Sequence, residues 1–181
     1  MDNLQIVETD LDSALRLRTA FSDPPRSREA ALSQGDSAQE CVHFGAYRDG
    51  KLVGVCSVGP EPLPVLDHRD AWRMRGLVVL PEMRGAGIGA ELIKHRLQHV
   101  AKQSNVLAWG YAKRRLVPLY SSLGYRPTGF TYVHPIGGET LLFGNGPTLR
   151  LIEKLTGANY ANGEIPDLGA VDALQVQELS G

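Results

Sequence analysis

The run LVVLPEMRGAGIGAELI, Leu77 to Ile93, constrains this chain more than any other stretch. An apolar, strand-like segment meets Pro81, and Gly85, Gly87 and Gly89 then take every second position at the entrance of a helix. A glycine weakens a helix by up to about 1 kcal/mol relative to Ala, so the pattern needs a compensating reason. About four backbone N–H groups at a helix N-terminus lack an internal partner, and the macrodipole adds roughly half a positive charge there. Such an end attracts an anion, and glycines remove the side chains that would hold a diphosphate away. Arg84 adds a permanent cation that either forks onto phosphate oxygens or braces the loop.

Three readings of this stretch compete. In the first, the glycines only let a strand and a helix pack closely. In the second, Gly85, Gly87 and Ala90 satisfy the G-x-G-x-x-A fingerprint of a dinucleotide site and the protein is a nucleotide-dependent oxidoreductase. That fingerprint calls for an acidic residue about 20 positions on, and from Leu92 to Gly138 there is no Asp or Glu. A Walker loop is excluded because no Gly-Lys-Ser/Thr follows. The third reading rests on a wider frame of residues.

At 181 residues and 43% hydrophobic composition, the chain has enough apolar material for one core without metal or disulfide. Cys41 and Cys56 lie in apolar, strand-like runs without CxxC spacing, which points to reduced thiols, and no zinc site is visible. The N-terminus carries acids where a signal peptide carries Lys or Arg, and no apolar run reaches the roughly 18 residues needed to span a bilayer. A cytoplasmic protein without membrane partners is expected. A net charge of −1 argues against nucleic acid as a partner, yet Lys94, Arg96, Lys102, Lys113, Arg114, Arg115 and Arg126 fall in the acid-free window. A basic middle in a neutral chain suits a compact anionic ligand.

Along the chain, LQIVE alternates as a first strand and LDSALRLRTAF follows as a helix capped by Asp10 or Asp12. A short helix falls within Ser27 to Glu40, and CVHFGAYRDGKLVGVCSVG reads as a hairpin turning at Asp49-Gly50. AWRMRGLVVL is the next strand, and after the glycines Leu92, Ile93, Leu97, Val100 and Ala101 recur at helical spacing. NVLAWGYA is a strand, RRLVPLYSSLG a short helix ending at Gly124, and a last hairpin bends at Gly137-Gly138. PTLRLIEKLTG is a helix with Pro147 at its first position. Residues 158–181 form a polar, weakly patterned extension that wraps the domain, meets a partner or is loosely held.

The wider frame decides the third reading. An apolar strand, a Pro and Arg84-Gly85-Ala86-Gly87-Ile88-Gly89 resemble the acyl-coenzyme A motif of the GNAT superfamily of N-acetyltransferases. A second piece, LVPLYSSLGYRPTG, resembles the later Tyr-x-x-x-Gly-Phe segment of that family, with Tyr120, Gly124 and Tyr125 in register. The resemblance is close from Val53 to Leu142 and rests only on element order in the N-terminal third. It implies an α/β fold with a mixed, mostly antiparallel central sheet flanked by helices, whose splayed strands form the acyl-CoA cleft. Residues 1–157 would be a single acyltransferase domain.

The resemblance further implies that the backbone of Leu77, Val78 and Val79 pairs with pantetheine like an added strand, the Val79 amide polarising the thioester carbonyl. On their own these three are an ordinary buried strand. Gly85 to Gly89 and Ala90 would hold the diphosphate. Tyr120 would be the general acid, since a phenol is protonated at neutral pH and can hand its proton to a leaving thiolate. Its other role is an aromatic packed on Leu116 and Leu123. Lys113 stands where many relatives carry a cofactor-contacting Asn; with Arg114 and Arg115 it either reaches phosphate or forms a solvated basic turn.

Many relatives carry a Glu on the strand before the loop, where this chain reads Trp72, Arg73, Met74, Arg75. Substitute bases are His43, Glu61, His68 and Asp70, or a water chain acting on an acceptor of low pKa. Arg73 and Arg75, two apart on a strand, would share a face and favour an acceptor with a carboxylate or phosphate if that face lines the cleft. The expected activity is acetyl transfer from acetyl-CoA, without a metal, to a small-molecule or peptide amine. The alternative is a non-catalytic acyl-CoA sensor or interaction module, and a homodimer is in keeping with the family.

Overall fold

The computed structural model describes residues 3–22, 26–33, 35–65, 70–103, 106–134 and 138–171. His68 and Gly137, both singled out by the sequence, lie outside the described residues. The chain forms two compact units, residues 1–60 with 74–103 (unit 1) and residues 61–73 with 104–181 (unit 2).

In unit 1, β1 (Leu4–Thr9), β2 (Val42–Arg48) and β3 (Lys51–Pro60) pair antiparallel in chain order, and β4 (Ala71–Val79), most of which belongs to this unit, follows β3. The β2–β3 turn falls at Asp49 and Gly50, whose φ values of 50° and 75° are those of a primed hairpin turn. Of the two cap candidates, Asp10 is the one used: its carboxylate accepts from Ser13 N at 2.7 Å and opens α1 (Leu11–Phe21). Ser27 caps the short α2 (Arg28–Ala31) in the same way. Ala14, Val55 and Val78 form a core with Leu17 and Leu52 beside them. The long α3 (Ile88–Ala101) lies against β3, where a Cβ on Gly54 would come within 3.0 Å of Leu92 Cδ1 and 3.2 Å of the Val78 carbonyl oxygen. The missing side chain at Gly54 lets the helix sit close to the sheet.

In unit 2, β5 (Leu107–Ala112), β7 (Gly138–Gly144) and β6 (Arg126–His134) are joined antiparallel, and β8 (Gly169–Ala170) adds parallel to β6. Leu63, Ala71, Leu107, Trp109 and Leu142 make one core cluster; Leu149, Ile152 and Tyr160 make another beneath α5 (Gly146–Thr156). A short α4 (Val117–Ser122) precedes Gly124, which has φ 84° as a helix-ending glycine should. The architecture is the mixed, mostly antiparallel sheet with flanking helices that the sequence led us to expect.

One expectation needs correction, and one choice left open by the sequence is narrowed. Helix α5 begins at Gly146, one residue before Pro147, because Asn145 takes the cap: its Oδ1 accepts from Thr148 N (3.1 Å) and from Ala108 N (3.2 Å), tying the helix start to β5. The segment after 157 is not loosely held as far as residue 171. Tyr160 is buried, its hydroxyl donates to the Thr128 carbonyl at 2.5 Å, and Val171 N donates to Thr131 O at 2.7 Å. Gly129 makes this docking feasible, since at φ 97° a Cβ there would lie 2.2 Å from the Pro166 carbonyl oxygen. Gly129→Ala should therefore cost about 2 kcal/mol or more through backbone strain and the clash, read as a lower urea midpoint with the sheet content unchanged by circular dichroism.

Candidate functional site

The glycine turn takes the form its sequence implies. After β4 a single 3₁₀ turn, Pro81–Met83, leads to Arg84, and Gly85 and Gly87 adopt φ of 82° and 79° in the left-handed region that only glycine enters freely. Space for a Cβ is open at both, with nothing within 4 Å, and Gly85, Ala86 and Gly87 face solvent. Gly87 caps α3 and, having no side chain, supplies no side-chain hydrogen bond to the first-turn amides. Ile88 is buried and faces the core, whereas Gly89 and Ala90 are partly exposed in the first turn.

Arg84 braces the turn in this structure. Its Nε donates to the Val79 carbonyl at 3.1 Å and its Nη2 to the Phe21 carbonyl at 3.4 Å. The guanidinium thus ties the turn to the ends of β4 and α1. Leu77 and Val79 are half-buried and Val78 is buried in the unit 1 core.

In unit 2, Tyr120 is 6% exposed on α4, its ring 5.0 Å from Phe143 and 6.5 Å from Tyr125 between centroids. Its aromatic neighbours are thus Phe143 and Tyr125. Lys113 is half-buried and opens the 3₁₀ turn Arg114–Leu116, while Arg114 pairs with Glu139 at 3.3 Å on the surface.

The substitute bases separate clearly. His43 is buried, with Nδ1 2.6 Å from Ser57 Oγ and Nε2 3.1 Å from the Asp36 carbonyl oxygen. A carbonyl only accepts, so Nε2 carries the proton and Ser57 donates to Nδ1. Burial lowers the His43 pKa and keeps the ring neutral. Both nitrogens are committed, which makes His43 a structural link and no base. Glu61 is held by Arg73 at 2.6 Å, and Asp70 is exposed.

A network that the sequence did not reveal surrounds His43. Asp36, fully buried, accepts from Arg18 at 2.6 Å and from Arg75 at 2.8 Å, and Arg18 also donates to Ser57 Oγ. Burial opposes ionisation of Asp36, but the two guanidiniums outweigh it and hold the carboxyl below its usual range. Asp36, Cys41 and His43 lie close enough together for a metal, within 4.8 Å. As a donor set they do not fit one: both Asp36 oxygens serve arginines, the His43 nitrogens are engaged, and Arg75 sits 3.4 Å from Cys41 Sγ. Burial raises both thiols, Cys56 to about 11, so neither is a thiolate at neutral pH.

A family model for the GNAT acetyltransferases matches residues 9–125, well over half of the chain. The chain belongs to the GNAT family. A Bacillus subtilis (strain 168) relative described as an uncharacterized N-acetyltransferase, YitI, is 26% identical over 141 residues, covering 77% of this chain and 95% of its own. Among solved structures, Escherichia coli ElaA superposes with TM-score 0.64 at 16% identity, covering 80% of this GNAT protein and 99% of ElaA. An acyl-CoA N-acyltransferase from Pseudomonas aeruginosa gives 0.63 at 20% identity over 81% and 100%. The protein is an acyl-CoA-dependent N-acetyltransferase, with acetyl-CoA the cosubstrate of its family. Among the described residues, no helix is long and apolar enough to cross a membrane.

Asp36→Asn should cost about 3–5 kcal/mol, because it leaves buried guanidiniums without their counter-charge. Chemical denaturation at pH 7 checks this. Because folded His43 resists protonation, stability should decline as pH falls below 6.5, where the unfolded chain binds a proton that the folded one refuses. His43→Gln should flatten that slope in melts taken between pH 5 and 8.

Proposed function

We propose that the Gly85–Ala90 turn binds the diphosphate of acetyl-CoA through its backbone amides, and that the protein acetylates a small-molecule or peptide amine. The observation that carries this reading is the pair of left-handed glycines, solvent-facing and unobstructed, immediately before a helix whose first turn has no side-chain cap. Glycine's cost to the helix is offset when an anion takes up those amides.

The remaining roles follow from this one. The backbone of Leu77, Val78 and Val79 pairs with the pantetheine arm, and the Val79 amide polarises the thioester carbonyl. Arg84 acts indirectly by holding the turn in place. Lys113 assists as a cation near the cosubstrate. The neutral acceptor amine attacks the acetyl carbonyl carbon; the C–N bond forms, the C–S bond breaks, and Tyr120 gives its proton to the departing sulfur while the amine releases one to solvent. Residues 1–157 serve as one acyltransferase domain and 158–181 as its extension. A cytoplasmic location, no nucleic-acid or membrane partner and a homodimer complete the reading.

Calorimetry with acetyl-CoA and with free coenzyme A tests it. Wild type should bind both, and Gly87→Val should weaken binding at least tenfold, about 1.4 kcal/mol; no heat with either ligand on folded protein would end the proposal. Tyr120→Phe should lower kcat by about 10²-fold or more with coenzyme A affinity retained, measured as thiol release across a panel of amines. An unchanged kcat would return Tyr120 to a packing role.

A further inference from the structure

Unit 2 holds a second charged cluster that none of the roles above uses. Arg73 Nη1 donates to Glu61 Oε1 at 2.6 Å, and its guanidinium carbon lies 5.2 Å from the Trp109 ring centroid and 5.6 Å from that of Tyr111. Trp109 and Tyr111, two apart on β5, meet edge to face at 5.5 Å, and Tyr111 and Tyr132 lie 5.0 Å apart. Trp109 Nε1 donates to the Glu61 carbonyl at 3.0 Å and so fixes the acid's backbone against the same wall.

Two features separate this cluster from a structural ion pair. Its charged pair remains reachable: Arg73 and Glu61 are 20% and 15% exposed, against 3% and 0% for Arg75 and Asp36, while Trp109 is buried in the core beneath them. It is also incomplete, because Arg73 Nε and Tyr111 Oη are buried with no hydrogen-bond partner among the described residues. Burial raises the Tyr111 pKa, so the phenol keeps its proton. Both orphan groups are therefore donors, and a buried donor without an acceptor is costly. A carboxylate supplies two acceptor oxygens and matches the guanidinium fork. Glu61 and the aromatic faces favour a cation beside it. One charge of each sign against an apolar wall complements a zwitterion.

We propose that Glu61, Arg73, Tyr111 and Tyr132, with Trp109 packed beneath them, form the acceptor subsite and that the acceptor is a free α-amino acid. Its carboxylate takes the Arg73 and Tyr111 donors, its ammonium lies at Glu61, and its side chain rests on Tyr111 and Tyr132, the half-buried rings of the cluster. The inference rests on the acetyltransferase reading above and narrows its acceptor.

The chain has two tryptophans, so Trp72→Phe leaves Trp109 as the sole indole reporter. This variant, saturated with coenzyme A, is titrated with the twenty proteinogenic amino acids and with their α-carboxamides. At least one acid should give a saturable change in emission, and its carboxamide should bind at least tenfold more weakly. Arg73→Gln and Tyr111→Phe should each weaken the acid at least tenfold while the coenzyme A titration is unchanged. Tyr111→Phe removes a single oxygen and keeps the test open if Arg73→Gln does not fold. No response to any acid, equal binding of acid and carboxamide, or full affinity in Tyr111→Phe would overturn the subsite. Failure of the parent protein to bind coenzyme A would instead remove the acetyltransferase reading and leave the amino-acid titrations to judge the subsite alone.

Discussion

One carboxylate organises the first unit. Asp36 has no contact with water and faces guanidiniums brought from α1 and from β4, with Ser57 on β3 and His43 on β2 closing the network. Desolvating three charges is expensive, and the arrangement is tolerable only because nearly every oxygen and nitrogen has a partner. Gly35 belongs to the same solution: a Cβ there would stand 3.1 Å from Arg75 Nη2, crowding the approach of the guanidinium. The segment between α2 and β2 is fixed to the sheet by charge where it has few apolar residues with which to pack.

The glycine turn follows the opposite strategy. Asp36 is satisfied within the chain, whereas α3 opens on a glycine that supplies no side-chain cap. Structural side chains avoid the turn and only support it. Arg84 points back to the Val79 and Phe21 carbonyls, and Ile88 anchors the helix in the core. Helix propensity is given up at the glycines and the turn is supported from around it.

What the sequence disclosed and what it withheld divide along sequence distance. The turn, the strand before it and the helix after it depend on residues within about fifteen positions, and such local chemistry can be read directly. The Asp49-Gly50 hairpin is legible for the same reason, and the cap of α1 is narrowed by sequence to Asp10 or Asp12. Asp36 is not, because SQGDSAQE looks like any polar loop and its arginine partners stand 18 and 39 residues away. Arg73 and Arg75 drew notice for sharing a strand face, yet one is bound to Glu61 and the other to Asp36, which period-two spacing could not show. The start of α5 shifted by a single residue because Asn145 also answers β5, a tertiary demand that proline placement does not contain.

The two-residue strand β8 has a consequence larger than its length. By lying parallel along Phe130 and Thr131 it occupies the outer hydrogen-bonding groups of β6. An uncovered strand margin is a template on which a second molecule can add its own strand. The short segment at Gly169–Ala170 thus covers part of that margin, where otherwise the backbone of Phe130 and Thr131 would be open on its outer side.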